Sequence, residues 1–209
     1  MMMTTIIFDL ETTGLPVMTD KRKYHDYKML DKYDNSRIVQ IAYTCVDDNY
    51  NVLYERDYKI KGVALNGSEK YHGITEDVLE KHGLVFNDIV NNMYYDFAQC
   101  NTLIAHNADF DFNVLLSELY RRGYVDFTLM LINKRLICSM HGFTNLVNKK
   151  NKWGGVKYPS LTELFKFVFG DDYEIENAHD AYYDVKALVD SLRTYKLVTN
   201  FDLKNAQFC

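Results

Sequence analysis

The sequence predicts an α/β fold, a mixed five-stranded sheet flanked by helices, and three observations carry that prediction. Three β-type patterns come first, at 4–10, 37–46 and 52–60. Apolar residues then recur at helical spacing. Two further short β-type segments, 102–105 and 136–140, lie among those helical patterns. Strands followed by helices interleaved with more strands give one sheet covered by helices. At 209 residues the chain is long enough for a proper core and short for two, so a single domain over 1–209 is expected.

Each element has its own signal. The first strand is rich in β-branched and aromatic residues and ends at the turn Thr12-Thr13-Gly14, with Pro16 just beyond. Residues 17–36 are polar, tyrosine-containing and basic at Lys21-Arg22-Lys23, the character of a surface insertion. The second and third strands meet across Asp47-Asp48-Asn49, a turn-forming run that makes them an antiparallel pair. Thr75 can cap a helix over 76–81 that Gly83 follows. Phe86, Ile89, Val90, Met93 and Phe97 mark one face of a longer helix. After the fourth strand, Phe112, Leu115, Leu116 and Leu119 form another stripe, with Gly123 as the stop. Ser160 and Glu163 have capping-box spacing, ahead of Leu161, Leu164, Phe165 and Val168 and the stop Gly170. A last helix begins near Ala178 or His179 and turns Val185, Leu188, Val189 and Leu192 inward.

Bulk properties exclude several classes. Hydrophobic residues at 47% and charged residues at 25% fit neither a disordered chain nor a fibrous repeat. No apolar run reaches the roughly 18 residues of a membrane helix, and the first ten residues lack a signal-peptide pattern, so an intracellular location is expected. Cys45, Cys100, Cys138 and Cys209 are scattered without a C-x-x-C pair, which speaks against a zinc knuckle or disulfide framework; reduced thiols, some of them buried, are expected. A net charge of -5 is unusual for a nucleic-acid partner. Bound divalent cations would offset most of it, and a protein that grips only a few phosphates needs only a local basic rim.

Three acidic clusters carry the chemistry. In Ile6-Ile7-Phe8-Asp9-Leu10-Glu11 the strand period puts Asp9 and Glu11 on one face. Two carboxylates there repel unless a proton or cation separates them, and hard oxygen ligands suit Mg²⁺ and Mn²⁺. Taken alone, D-x-E reads rather as a solvated strand end. Asp111 falls in the first turn of the helix after the fourth strand, where acids are ordinary, but it lies nearer the buried stripe than Asp109 does. In the third cluster, Asp184 precedes Leu188 by one turn and sits at the edge of the inward face. His179, five residues earlier, belongs on a loop before that helix, where it can approach an attacking water.

With these motifs in order, the chain resembles the DEDD exonucleases, in the subgroup marked by histidine, which includes polymerase proofreading subunits and ribonuclease T. The first motif stands as Phe8-Asp9-Leu10-Glu11-Thr12-Thr13-Gly14, the second as His106-Asn107-Ala108-Asp109-Phe110-Asp111, and the third as His179 with Asp184. Arg37-Ile38-Val39-Gln40-Ile41-Ala42 and His72-Gly73-Ile74-Thr75 are similar to family segments between the first two. The sibling subgroup's tyrosine position is Asp180 here, which keeps the histidine assignment.

The resemblance implies a ribonuclease H-like fold and a metal-dependent 3′-to-5′ exonuclease acting on single-stranded DNA or RNA ends. It implies that Asp9, Glu11, Asp111 and Asp184 hold two Mg²⁺ or Mn²⁺ ions and that His179 takes a proton from water. Substrate contacts are expected at Thr12, Leu15, His72 and Asn107, although Leu15 also reads as an ordinary turn residue and His72 as a structural hydrogen bonder. A non-catalytic end-binding or polymerase-binding module is the alternative. Degenerate members of that kind would lack one of the acids or the histidine, and none is missing. The short stretch after the last helix favours a stand-alone repair or RNA-trimming enzyme over a proofreading subunit, with a polymerase or homodimer partner left open. Lys149, Lys150, Lys152 and Trp153, running into Gly154-Gly155, suit single-stranded nucleic acid, although a solvated flexible loop is the reading the residues favour.

Overall fold

The structure, a computed structural model, describes residues 4–21 and 23–206. Arg22 of the basic run and Cys209 lie outside the described residues. In chain order the elements are β1 (Thr5–Thr12), β2 (Ile38–Val46), β3 (Val52–Lys59), α1 (Glu69–His72), α2 (Glu76–His82), α3 (Phe86–Ala98) and β4 (Thr102–Ala105). There follow α4 (Ala108–Arg121), α5 (Val125–Ile132), β5 (Arg135–Cys138), α6 (Ser139–Val147), α7 (Leu161–Phe169) and α8 (Ala181–Thr199). The sheet order is β3-β2-β1-β4-β5. β1 pairs antiparallel with β2 and parallel with β4, so the sheet is mixed, as the sequence predicts.

β1 is central and apolar on both faces because helices cover both. Ile6, Phe8 and Leu10 pack with Phe86, Met93 and Phe97 of α3 and with Val114, Leu115 and Leu119 of α4. Ile7 packs on the other side with Leu164 of α7 and with Val185, Leu188, Val189 and Leu192 of α8. Asp9 and Glu11 share the face of Ile7 by strand alternation, and they therefore point toward α8. The parallel pairing with β4 ends at Ile7, opposite Ile104. Beyond it the carboxyl end of β1 opens a crevice, the usual place for a ligand in such sheets.

The expected caps are present. Thr75 accepts the Val78 amide, and Ser160 and Glu163 form the reciprocal capping box. Most boundaries differ from the sequence reading by a residue or so, and three differences matter. β1 runs on to Thr12 through a bulge at Glu11/Thr12. β5 ends at Cys138, so Ser139 and Met140 belong to α6. The last helix starts at Ala181, because Asn177 and His179 take left-handed φ of 48° and 70° and Asp180 caps the Tyr182 amide.

Residues 17–36 leave and rejoin the sheet at one point. The Thr13 amide donates to the Arg37 carbonyl at 2.9 Å, and the Thr13 hydroxyl to the Asn35 carbonyl at 2.9 Å. A Cβ on Gly14 would lie 2.9 Å from that same Asn35 oxygen, so the close approach requires glycine. Most of the excursion is solvent-facing, yet Tyr33 is buried in the core and donates to the His25 carbonyl. Among the described residues Cys45 and Cys100 are buried free thiols and Cys138 is a half-buried one. No helix among the described residues is long and apolar enough to cross a membrane.

Candidate active site

Three carboxylates from two distant elements meet at the end of β1. Oxygens of Asp9, Glu11 and Asp184 all lie within 4.8 Å of one another. β1 supplies the first two by its alternation, and the first turn of α8 supplies the third. Asp111 is outside this triad but adjoins it. It is 2% exposed, and its Oδ1 accepts the Leu10 amide, between Asp9 and Glu11, at 3.2 Å.

So many acids crowded into a largely buried space cannot all ionise at ordinary pH. Burial drives Asp9 well above the usual carboxylate range, and the charges of Asp111, Asp184 and Glu11 drive it further. Burial, then Asp184 and Asp111, push Glu11 up to about 8. Asp184 rises to about 6 by burial, against the lowering effect of the His179 amide and imidazole. Asp111 is also raised by burial, against the amide of Leu10. An all-oxygen donor set with this much uncompensated negative charge fits a hard divalent cation.

His179 is exposed on the loop before α8, with its amide donating to Asp184 Oδ2 at 3.3 Å. Its left-handed backbone and the Asp180 cap keep it out of the helix and beside the acids. The other nearby histidine is spoken for. His106 Nε2 donates to the Pro159 carbonyl and Nδ1 accepts from the Ser139 hydroxyl, each at 3.0 Å, and burial lowers its pKa to about 4.

The expected substrate contacts are placed unevenly. Thr12 is buried beside Glu11, its hydroxyl donating to the Gly14 carbonyl at 2.8 Å. Leu15 is 76% exposed, an apolar side chain held in solvent beyond the turn. Asn107 is exposed in a left-handed conformation at the N-cap of α4, and its side chain makes no cap bond. His72 is buried, and both ring nitrogens are used within its own turn. Nδ1 accepts the Ile74 amide at 3.0 Å, so Nε2 carries the proton and donates to Ser68 Oγ at 2.9 Å. It nevertheless lines, with Tyr71, Gly73, Asn177, His179 and Asp180, an open cleft of about 430 Å³.

Two features escaped the sequence reading. Gln40 is fully buried opposite Glu11. Its Nε2 donates to Asp57 Oδ1 at 2.8 Å and Asp180 Oδ1 at 3.0 Å, while its Oε1 accepts the Ala181 amide at 3.2 Å. This side chain ties the start of α8, and so His179 and Asp184, to β2. The signal was present as a polar residue inside an otherwise apolar strand. The second is Tyr24, whose phenol is raised by burial and then by the charges of Asp111 and Asp109; the 17–36 excursion therefore reaches the N-terminus of α4.

The mixed five-stranded sheet with helices on both faces is a ribonuclease H-like fold, and it carries an acidic crevice at the end of β1. A family model described as Exonuclease (RNase T) matches residues 6–192, and the chain belongs to this family of DEDD-type exonucleases. Among solved structures it is similar to E. coli Exonuclease I in complex with a dA16 oligonucleotide, at 18% identity and TM-score 0.69, covering 95% of this chain and 42% of that one. The zinc-bound form of the E. coli ExoI–ssDNA complex matches at 18% identity and TM-score 0.68, over 96% and 42% of the two chains. An ExoI/SSB-Ct complex matches at 16% and 0.69, over 96% and 42%. The chain thus spans about two fifths of the length of these structures. A comparison with curated protein sequences found no match.

Proposed function

We propose that the chain is a 3′-to-5′ exonuclease domain over 1–209 that releases nucleoside monophosphates from single-stranded ends of DNA or RNA. The observation that carries this reading is the meeting of Asp9, Glu11 and Asp184 within 4.8 Å, with Asp111 behind them on the Leu10 amide. Membership of the exonuclease family supports hydrolysis, and the oligonucleotide complexes of E. coli Exonuclease I support a single-stranded substrate.

Asp9, Glu11, Asp111 and Asp184 would hold two Mg²⁺ or Mn²⁺ ions. When bound, such ions supply water activation and charge neutralisation at phosphorus. The protein's own groups do the rest. His179, exposed on the loop before α8, takes the proton of the attacking water. The Asp184 carboxylate, hydrogen-bonded to the His179 amide, keeps that loop near the site. Thr12, Leu15 and Asn107 line the approach, and the cleft beside His72 and His179 receives the terminal nucleotide.

The test offers matched DNA and RNA oligonucleotides, single- and double-stranded and labelled at the 5′ end, with Mg²⁺, Mn²⁺ or chelator. A ladder shortening from the 3′ end, dependent on metal, is expected. Asp9→Ala should abolish it, and His179→Ala should slow it by about 10²–10⁴ with oligonucleotide binding retained. Intact oligonucleotides under every metal condition would falsify the proposal.

A further inference from the structure

Between Phe127 and Thr162 the chain has no acidic residue, yet it carries six basic ones: Lys134, Arg135, Lys149, Lys150, Lys152 and Lys157. In a protein of net charge -5 this is a segregated positive region. Four of the lysines fall on one small hairpin. Lys150 bridges Val156 antiparallel, the Lys157 amide donates to the Lys149 carbonyl at 2.9 Å, and the Asn151 amide donates to the Gly155 carbonyl at 2.8 Å.

The tip is pinned by one side chain. Asn151 Oδ1 accepts the amides of Trp153 at 2.9 Å and Gly155 at 3.1 Å. Trp153 is nevertheless 80% exposed, and the Lys152 ammonium lies 4.4 Å from its ring centroid. Among the described residues Lys149, Lys150 and Lys152 have no ion-pair partner, whereas Lys157 pairs with Glu163 at 2.8 Å. The hairpin therefore presents a largely exposed indole and three ammonium groups without a direct ion pair among the described residues. An indole in that position covers nothing of this chain's core.

Its base is tied to the joint between β4 and α4. The strand leaving the tip ends at Pro159, whose carbonyl holds His106, and His106 stands between β4 and the helix that carries Asp111. Tyr158, also exposed, packs at a tilt against His141, with 4.9 Å between ring centroids.

We propose that the hairpin 149–157 is a second nucleic-acid contact, gripping a single strand through its phosphates and one base stacked on Trp153; it rests on the nuclease reading above. Separated ammonium groups follow a phosphate backbone, and an exposed aromatic face accepts any unpaired base. A duplex, whose bases are already stacked, offers Trp153 no such partner. The grip deepens the function by making a long strand a better substrate than a short one.

Trp153 is the chain's one tryptophan, so fluorescence excited at the red edge, beyond the absorption of the 17 tyrosines, reports on this hairpin. The full chain in EDTA is titrated with dT15 and rU15, and saturable, salt-sensitive quenching is expected with one or both. Trp153→Ala should weaken binding of a fluorescein-labelled oligonucleotide about fivefold or more, with Trp153→Phe restoring most of the loss. The pair Lys150→Glu/Lys152→Glu should flatten the slope of log affinity against log salt by about one or more. Cleavage of a trinucleotide with Mg²⁺ should be unchanged in all three variants. Unaltered Trp153 fluorescence at saturating oligonucleotide, no binding in EDTA, or full affinity in Trp153→Ala overturns the hairpin proposal. Quenching without any cleavage would retain the hairpin and reject the nuclease, whereas cleavage without quenching would do the reverse.

Discussion

The crowding of acids at the end of β1 makes the metal-free protein weaker as pH rises, and Glu11→Gln should reverse that. Glu11 titrates at about 8 in the folded chain against 4.5 when unperturbed. Between those values the folded state keeps a proton that the unfolded state has released, so stability present at low pH is lost as pH climbs toward 8. The three pH units from 5 to 8 amount to about 4 kcal/mol at ~1.36 kcal/mol per unit. Glu11 is part-hydrated and shares protons with Asp9 and Asp184, which lowers the working figure to about 2–3 kcal/mol. For a chain of this size that is a fall in Tm of about 5–10 °C. Thermal melts followed by circular dichroism in EDTA, at steps from pH 5 to 8, measure it. Millimolar Mg²⁺ or Mn²⁺ should recover most of the loss in the wild type. Glu11→Gln should melt higher than wild type at pH 8 in EDTA, match it near pH 5, and respond little to metal. A wild-type Tm that is flat or rising over this range, or a Gln variant less stable at pH 8, refutes the account of the site as a nest of strained carboxyls.

Gln40→Met keeps the volume of a buried side chain but removes its two charge-assisted bonds and leaves the Ala181 amide without an acceptor, costing about 3 kcal/mol. Urea denaturation should show a lower midpoint at unchanged slope, and nuclease turnover should fall because the start of α8 loses its tie to β2; unchanged values of both would remove Gln40 from any positioning role. Glu118, 2% exposed, accepts from Arg37 at 2.7 and 2.9 Å and from Arg122 at 2.6 Å. Glu118→Ala strands two half-buried guanidinium groups that can still turn partly to water, so a loss of about 2–4 kcal/mol in urea unfolding is expected, and a loss under 1 kcal/mol would contradict it.

The elements that a sequence states plainly are those whose apolar residues obey one period. Phe86, Ile89, Val90, Met93 and Phe97 are all buried as their spacing requires, and β4 has the bounds expected of it. α5 was missed because Val-Asp-Phe-Thr-Leu-Met-Leu-Ile is apolar nearly all round and has no face to detect. α6 was missed for the opposite reason, since Gly142, Thr144 and Asn145 are poor helix formers that only tertiary packing of Phe143 holds in place. At the site, alternation along β1 and helical phase along α8 put Asp9, Glu11 and Asp184 on inward faces, and the family resemblance joined them into one site. The burial of Asp111 behind the Leu10 amide and the clamp by Gln40 depend on pairs 101 and about 140 residues apart, which no local pattern encodes. His72 illustrates the remaining limit. Its proximity to the cleft followed from resemblance, but its two internal bonds follow only from the fold of its own turn.

The knot of hydrogen bonds joining Thr13, Asn35 and Arg37 has a consequence for how such a protein diversifies. Whatever hangs from the knot, the pairing of β1 with β2 is set at its root, so the acids of β1 keep their register while the tethered segment changes length or composition. The segment overhangs the start of α4 through Tyr24, next to where a substrate end would enter. Substrate preference can therefore drift by exchange of one appendage, with the reaction centre inherited intact.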